Sequence, residues 1–333
     1  MNDRKTVSYP VLIAILGLLT VFAACMGVRW GSAPLTFREM IQGLIHPDSG
    51  TVSARILWVV RLPRVAAAML AGAGLAFSGL LLQSATNNPL AGPNIIGVNA
   101  GAGFALVLTM GIAPMAYRLM PVMAFAGAFL CTVLIVFTAD RAGGSRVTIV
   151  LAGVAVTALL NAGISLIKLM FPDLAVAYNS FAVGGVSGVT LDSLGIPAVI
   201  IAGAIAIGAV LAARLNLLCL GDALASSLGA RVRSLRMTAL ILASASAGAA
   251  VSFAGLLGFV GLMVPHIGRK LTGCTDLRKL IPVCVLPGGC MVTLADLLGR
   301  VLFAPSEVPA GIITALIGAP FFFALLMQRR NRL

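Results

Sequence analysis

The chain has 333 residues, 60% of them hydrophobic and only 10% charged, where a soluble domain carries roughly 25% charged residues. That composition excludes an ordinary water-soluble domain and points to a polytopic membrane protein. The formal net charge of +13 is no signature of nucleic-acid binding, because the basic residues form short clusters between long apolar runs, the arrangement that sets membrane topology.

Runs without Asp, Glu, Lys or Arg occupy 6–28, 65–117, 119–139, 147–167, 193–213, 237–268, 280–295 and 308–328. A helix needs about 20 apolar residues to cross a bilayer, so each run is at least one candidate span. Arg4 and Lys5 precede the first run, which ends near VFAAC. Its continuation to Val28 and the many spans behind it make it an uncleaved first span rather than a secretory leader. Run 65–117 is too long for one helix, and QSATNNPLAGPN at 83–94 divides it with two prolines and three asparagines. Run 237–268 carries Gly255, Gly258, Gly261 and Pro265 and fits one full span followed by a short one. Small-residue stretches such as AGAGLAFSG (71–79) and ASASAGAAVSFAG (243–255) predict close helix packing.

The charges test this count. With ten spans and a cytoplasmic N-terminus, 15 of the 23 Lys and Arg lie on the inner side, from Arg4 and Lys5 to Arg329, Arg330 and Arg332. Treating 237–268 as one span would put the cluster RKLTGCTDLRK and the basic tail outside, against the positive-inside rule. Both termini are therefore predicted to be cytoplasmic. The other eight are Arg29, Arg38, Arg55, Arg61, Arg64, Arg118, Lys168 and Arg300. Five of them lie between the first two spans, an outer basic patch that topology does not explain. Asp296 is the main intramembrane acid; Arg300, four residues on, is placed to pair with it on one helix face, and Lys168 is placed to snorkel.

No catalytic constellation is visible. The sequence has no HExxH and no GxxxxGK[ST], its two histidines, His46 and His266, are far apart, and its six cysteines form no CxxC pair. It predicts no metal site, no cofactor bound by this chain and no ATP site of its own. An ion-coupled secondary transporter is the competing reading, and it calls for ionisable groups at mid-membrane.

One inner segment stands apart. CLGDALASSLGARVR (219–233) places Asp222 to cap a helix and Gly229 to end it, leaving about six residues where an isolated helix needs about 12–15. Such a helix must dock on something.

Six motifs then occur in a recognisable order: RLPR (61–64), QSATNNPLAGPNIIGVNAGAG (83–103), LGDALASSLG (220–229), GFVGLMVPHIGR (258–269), LADLLGR (294–300) and EVPAGIITALIGAPFFFALL (307–326). Through them nearly the whole chain resembles the permease subunits of bacterial ABC importers of the FecCD or BtuC type. The resemblance implies an all-α, BtuC-like (type II importer) fold of about ten transmembrane helices, forming one permease domain over 1–333 in the bacterial cytoplasmic (inner) membrane. It also implies a second permease copy or paralogue, two cytoplasmic ATPase subunits holding ATP and Mg, and an external or periplasmic solute-binding protein. The cargo it implies is a bulky metal chelate, iron-siderophore first, then haem or cobalamin.

Residue by residue, the resemblance assigns the segment 215–236, with Gly221, Asp222, Ala223, Ala225, Leu228 and Gly229, to coupling with the ATPase. It assigns Arg61, Arg64 and Arg300 to docking against acidic residues of the binding protein. Gln83, Asn87, Asn88, Pro89, Asn99, Ser145 and Thr148 become pathway or gate positions. One departure stands out: FAVGGVSGVT (181–190) has no Trp where many relatives carry one.

Overall fold

The computed structural model describes residues 8–31, 35–47, 49–143 and 145–330, and its regular secondary structure is entirely helical among them. Arg4, Lys5 and Arg332 lie outside the described residues. The chain opens with α1 (Tyr9–Arg29) and a short outer helix, α2 (Phe37–Ile45). Next, α3 (Val52–Arg55) passes through a π-helical turn (Ile56–Arg61) straight into α4 (Leu62–Thr86). A 3-10 turn (Pro93–Ile96) leads to α5 (Val98–Ile112), α6 (Met120–Arg141), α7 (Arg146–Met170), the short α8 (Leu174–Val183) and α9 (Leu191–Leu215). A second 3-10 turn (Asn216–Leu220) precedes α10 (Asp222–Ser227), followed by α11 (Val232–Ala254), α12 (Val260–Thr272), α13 (Leu277–Val301) and α14 (Ala310–Arg330).

Seven helical segments are individually long and apolar enough to cross a membrane: 9–29, 52–86, 120–141, 146–170, 191–220, 232–254 and 277–301. With α5, α12 and α14 they make the ten expected spans, and α1 starts beside the start of α13, where the Tyr9 hydroxyl donates to the Lys279 carbonyl at 3.2 Å. The division of 237–268 is as expected, but the break lies at 255–259, while Gly261 and Pro265 sit inside α12. Two expectations need correction. The second span starts well before residue 65, because the apolar ILWVV of the π turn carries the helix outward. The outer segment before 190 also contains α8, which buries no residue.

Helix α4 is the hub, buried along most of its length against α13, α11, α12 and α9. Glycine makes this possible, since lipid supplies no hydrophobic drive between helices and packing needs close backbones. A Cβ on Gly72 would overlap the main chain of Gly288 in α13, and one on Gly79 would overlap Gly261 in α12. In the same way Gly101 of α5 meets Gly127 of α6.

The outer end is dressed for an interface. Thr36 and Glu39 form a capping box at the start of α2, whose Gly43 seats on Ala54 and Leu57. Phe37, Ile41, Leu44 and Ile45 stay exposed. Both tryptophans, Trp30 and Trp58, lie here, and the Trp58 indole donates to the Gly43 carbonyl at 3.0 Å. This is the amphipathic and aromatic composition of a membrane boundary.

Where α11 breaks, main-chain groups are repaid by neighbours, as membrane depth demands. Gly185 N–H donates to Ala254 at 2.8 Å, Leu256 N–H to Phe181 at 3.0 Å, and Gly311 N–H to Gly184 at 3.1 Å. The end of α8, the end of α11 and the start of α14 are thereby stitched together. Phe259, at φ 64°, starts α12 in the left-handed region, an uncommon conformation for a bulky residue.

Candidate functional site

Two charged clusters mark the ends of the bundle. At the outer end, the π turn and the first turn of α4 carry Arg61 and Arg64 three residues apart on one face. Arg64 binds Asp296 of α13 through Nε, at 3.0 and 3.1 Å to the two carboxylate oxygens, and Glu307 through Nη1 at 2.7 Å. Arg300 pairs with Asp296 at 3.0 Å, the expected i, i+4 pair, and also donates to the carbonyls of Gly27 and Trp30. Arg61 donates to the carbonyls of Val28 and Arg29 at 2.7 and 2.8 Å, at the C-terminal end of α1 where the helix dipole favours a cation.

This geometry corrects the picture of three arginines offered to solvent. Arg61, Arg64 and Arg300 are 3%, 5% and 2% exposed, because Asp296, Glu307 and the end of α1 draw them inward. The exposed arginines of the predicted outer set are Arg38, Arg55 and Arg118 instead. Glu307 is a member of the cluster that sequence reasoning missed; its place in EVPAG at the mouth of α14 was the available signal. Lys168 reaches over the Tyr178 ring, 4.8 Å from its centroid.

At the inner end, α10 has the expected length and Gly229, at φ 78°, ends it. Ala230 N–H donates to Ala225 and Gly229 N–H to Ser226, the paired bonds of a Schellman motif. Its start differs from expectation. Gly221 is the N-cap residue and no side chain caps the helix. Asp222 lies inside the first turn and turns to Arg146 of α7 and Arg236 of α11, 2.7 Å from each. Partial burial pushes the Asp222 carboxyl up, but the bonds and charges of Arg236 and Arg146 outweigh it and hold it below the ordinary carboxylate range.

Ala225 is fully buried against the permease itself, so it is no contact residue for an outside partner. Ala223, Leu228 and Gly229 are exposed, and so is Leu224, which sequence reasoning passed over. The spacing of Leu220, Leu224 and Leu228, four residues apart in a polar loop, was the signal.

The pathway positions share the inner end but differ in kind. Gln83 is buried, donating to the carbonyls of Gly261 and Leu262 and accepting from Arg269, so it ties α4 to α12 rather than lining an open passage. Asn87, at φ 49°, is the left-handed C-cap of α4, a conformation that asparagine tolerates. Asn88 accepts from Leu90 N–H, and Pro89 completes that turn half-buried. Ser145 caps α7 by accepting from Thr148 N–H at 3.1 Å, and Asn99 is half-buried in the first turn of α5. Nearby, the Asn216 amide, with help from Arg278, holds the Asp276 carboxyl below the ordinary range. Among the described residues no three His, Cys, Asp or Glu side chains are grouped to hold a metal.

Known proteins resemble this chain over nearly its whole length. The FecCD transport family model matches residues 18–328. Among curated relatives, the iron(3+)-hydroxamate import system permease protein FhuB of Bacillus subtilis (strain 168) is 36% identical, over 97% of this chain and 85% of its own. The hemin transport system permease protein HmuU of Yersinia pestis is 33% identical over 100% and 99% of the two chains. The ferric enterobactin transport system permease protein FepD of Escherichia coli (strain K12) is 35% identical over 100% and 99%. A solved inward-facing structure of a metal-chelate type ABC transporter superposes with a TM-score of 0.83 at 30% identity, covering 96% of this chain and 99% of that one. Ten packed spans, the ordered motifs and these likenesses over nearly the full length lead to one assignment: the chain belongs to the FecCD transport family, as a multi-pass permease of the bacterial cytoplasmic membrane.

Proposed function

We propose that this permease forms the translocation path of an ATP-driven importer, working with a second permease chain, two cytoplasmic ATPase subunits and an external solute-binding protein. The observation that carries the reading is the surface of α10 and its approach. Leu220, Leu224 and Leu228 are 49%, 61% and 64% exposed on a cytoplasmic segment where no lipid covers them. Exposed apolar side chains grouped in a polar setting mark an interaction site. They fit a groove on an ATPase subunit, which supplies the ATP site this chain lacks. An ion-coupled carrier is disfavoured because Asp296 is fully committed to Arg64 and Arg300 instead of facing a water path.

A metal-chelate cargo is supported by the relatives, whose names specify iron(3+)-hydroxamate, hemin and ferric enterobactin. A ferric chelate is the substrate we assign first, with haem and then cobalamin as the next classes. At the outer end, three arginines meet two carboxylates, leaving an excess positive charge beneath the surface. Exposed Arg38 and Arg55 add to it, so acidic lobes of a binding protein dock there, with Arg61, Arg64 and Arg300 beneath them as the charged seat.

The test is reconstitution of the permease with its ATPase and binding protein in proteoliposomes, followed by uptake of a ferric hydroxamate in competition with hemin and cobalamin. Uptake that needs ATP and binding protein is the expected result. Uptake driven by a proton gradient without ATP would overturn the reading.

A further inference from the structure

Asp222 holds two arginines from two different spanning helices, and each arginine leads to one of the inner-end turns. Arg146 Nη2 reaches Oδ1 at 2.7 Å. Arg146 opens α7 and directly follows Ser145, the residue that caps that helix. Arg236 Nη2 lies 2.7 Å from both Asp222 oxygens, and its Nε donates to the Ala85 carbonyl at 3.3 Å. Ala85 is in the last turn of α4, just before Asn87, Asn88 and Pro89. One carboxylate on a six-residue helix is thus joined to the turn at 145–148 and to the turn at 83–94.

The physical setting makes this junction matter. α10 is too short to hold its own shape in water and has no side-chain cap, so its place against the bundle depends on Ala225, its Schellman end and Asp222. Of the two arms, Arg236 is buried, with its side chain 6% exposed, and a buried guanidinium deprived of its carboxylate is strongly unfavourable. The Asp222–Arg236 contact therefore resists separation when α10 moves. Arg146 is half-buried and follows the same carboxylate.

We propose that Asp222 is a positioning residue that conveys displacement of α10 to both inner-end turns together, through Arg146 to the start of α7 and through Arg236 to the end of α4. This rests on α10 being the segment that the ATPase moves. Its consequence is that the two turns shift as one body and the inner end opens in a single step. Removing the charge leaves the exposed leucines to bind the ATPase but severs the linkage behind them.

The experiment uses the full reconstituted complex and reads chelate imported per ATP hydrolysed. Wild-type complex without ATP-dependent uptake counts against the importer reading itself. Where wild type transports, Asp222→Asn is expected to keep its ATPase subunits and hydrolyse ATP while the ratio falls roughly fivefold or more. Arg146→Gln is expected to lower it less, and the double variant to be no worse than Asp222→Asn alone. An unchanged ratio in Asp222→Asn, or losses that simply add in the double variant, would overturn the proposal. A second measurement needs no charge variant: spin labels at exposed positions Ala223 and Val147 of the otherwise wild-type complex are expected to keep one separation with and without nucleotide. Labels that part as nucleotide binds would overturn it equally.

Discussion

Arg64 of α4 and Asp296 of α13, 232 residues apart in sequence, meet in a buried pair in which one carboxylate serves two guanidinium nitrogens of Arg64, with Arg300 against its other side. Removing the acid would leave three buried arginines with Glu307 and helix-end carbonyls for company. Breaking a buried pair from one side typically costs about 3–5 kcal/mol. Asp296→Ala is therefore expected to lower the yield of folded protein and its unfolding temperature in detergent, with Asp296→Asn less damaging. A thermal scan of both variants checks this, and an unshifted midpoint for the alanine would refute it.

Two glycines separate close packing from mere helix content. Gly79→Ala places a Cβ on the Gly261 carbonyl, where only backbone movement can make room. The expected loss is about 1–3 kcal/mol. Gly203, within α9, has nothing within 4 Å of its Cβ position, so Gly203→Ala should be neutral or slightly stabilising. The same thermal scan compares them, and equal shifts would argue against backbone contact as the basis of α4 packing.

The exposed leucines should be separable from the buried alanine of the same helix. Leu224→Ser and Leu228→Ser are expected to leave the permease stable while weakening ATPase binding roughly tenfold each, read by co-purification and titration of the subunits. Ala225→Trp is instead expected to destabilise the permease before any partner is added, because Ala225 has no free surface.

Acid should reveal the Asp222 junction in a defined window. Its carboxyl is held below the ordinary value of 3.8, so the folded state binds its proton less readily than the unfolded chain does. The resulting stabilisation is fully present above 3.8 and disappears as pH falls through the lower folded value. The stability difference between wild type and Asp222→Asn is expected to stay constant through neutral and mildly acidic pH and to vanish only in stronger acid. A difference that grows towards acid would contradict the assignment. Asp276, held down chiefly by Asn216, adds to the same acid-side loss in both proteins.

The ten spans and their sidedness were legible because lipid forbids charge over about 20 residues and the basic clusters between the runs have a direction. Even the short eighth span followed from the charges on either side of it. Helix α8 was not legible: LAVAYNSFAV has neither the length of a span nor a distinguishing cap. The start of α4 was misplaced because Arg61 and Arg64 bound the charge-free run, whereas the partners that let them lie inside the helix, Asp296 and Glu307 for Arg64 and the carbonyls at the end of α1 for Arg61, are not next to them in the chain. For the same reason their burial was hidden. At α10 the length and the glycine stop were readable from local residues, but the role of Asp222 was not, since local chemistry favours a cap and the deciding arginines come from α7 and α11.

The stitched region where α8, α11 and α14 meet has a consequence for how such a permease can diversify. Its three linking bonds, from Gly185, Leu256 and Gly311, run between peptide groups, and at Gly311 only glycine fits, because a Cβ there would overlap the Val183 carbonyl. Side chains at the acceptor positions Phe181 and Ala254 take no part in those bonds, although Ala254 is buried and Phe181 packs against the core. The joint is written in backbone, so what it can tolerate is set by how closely the chains approach rather than by the side chains they carry.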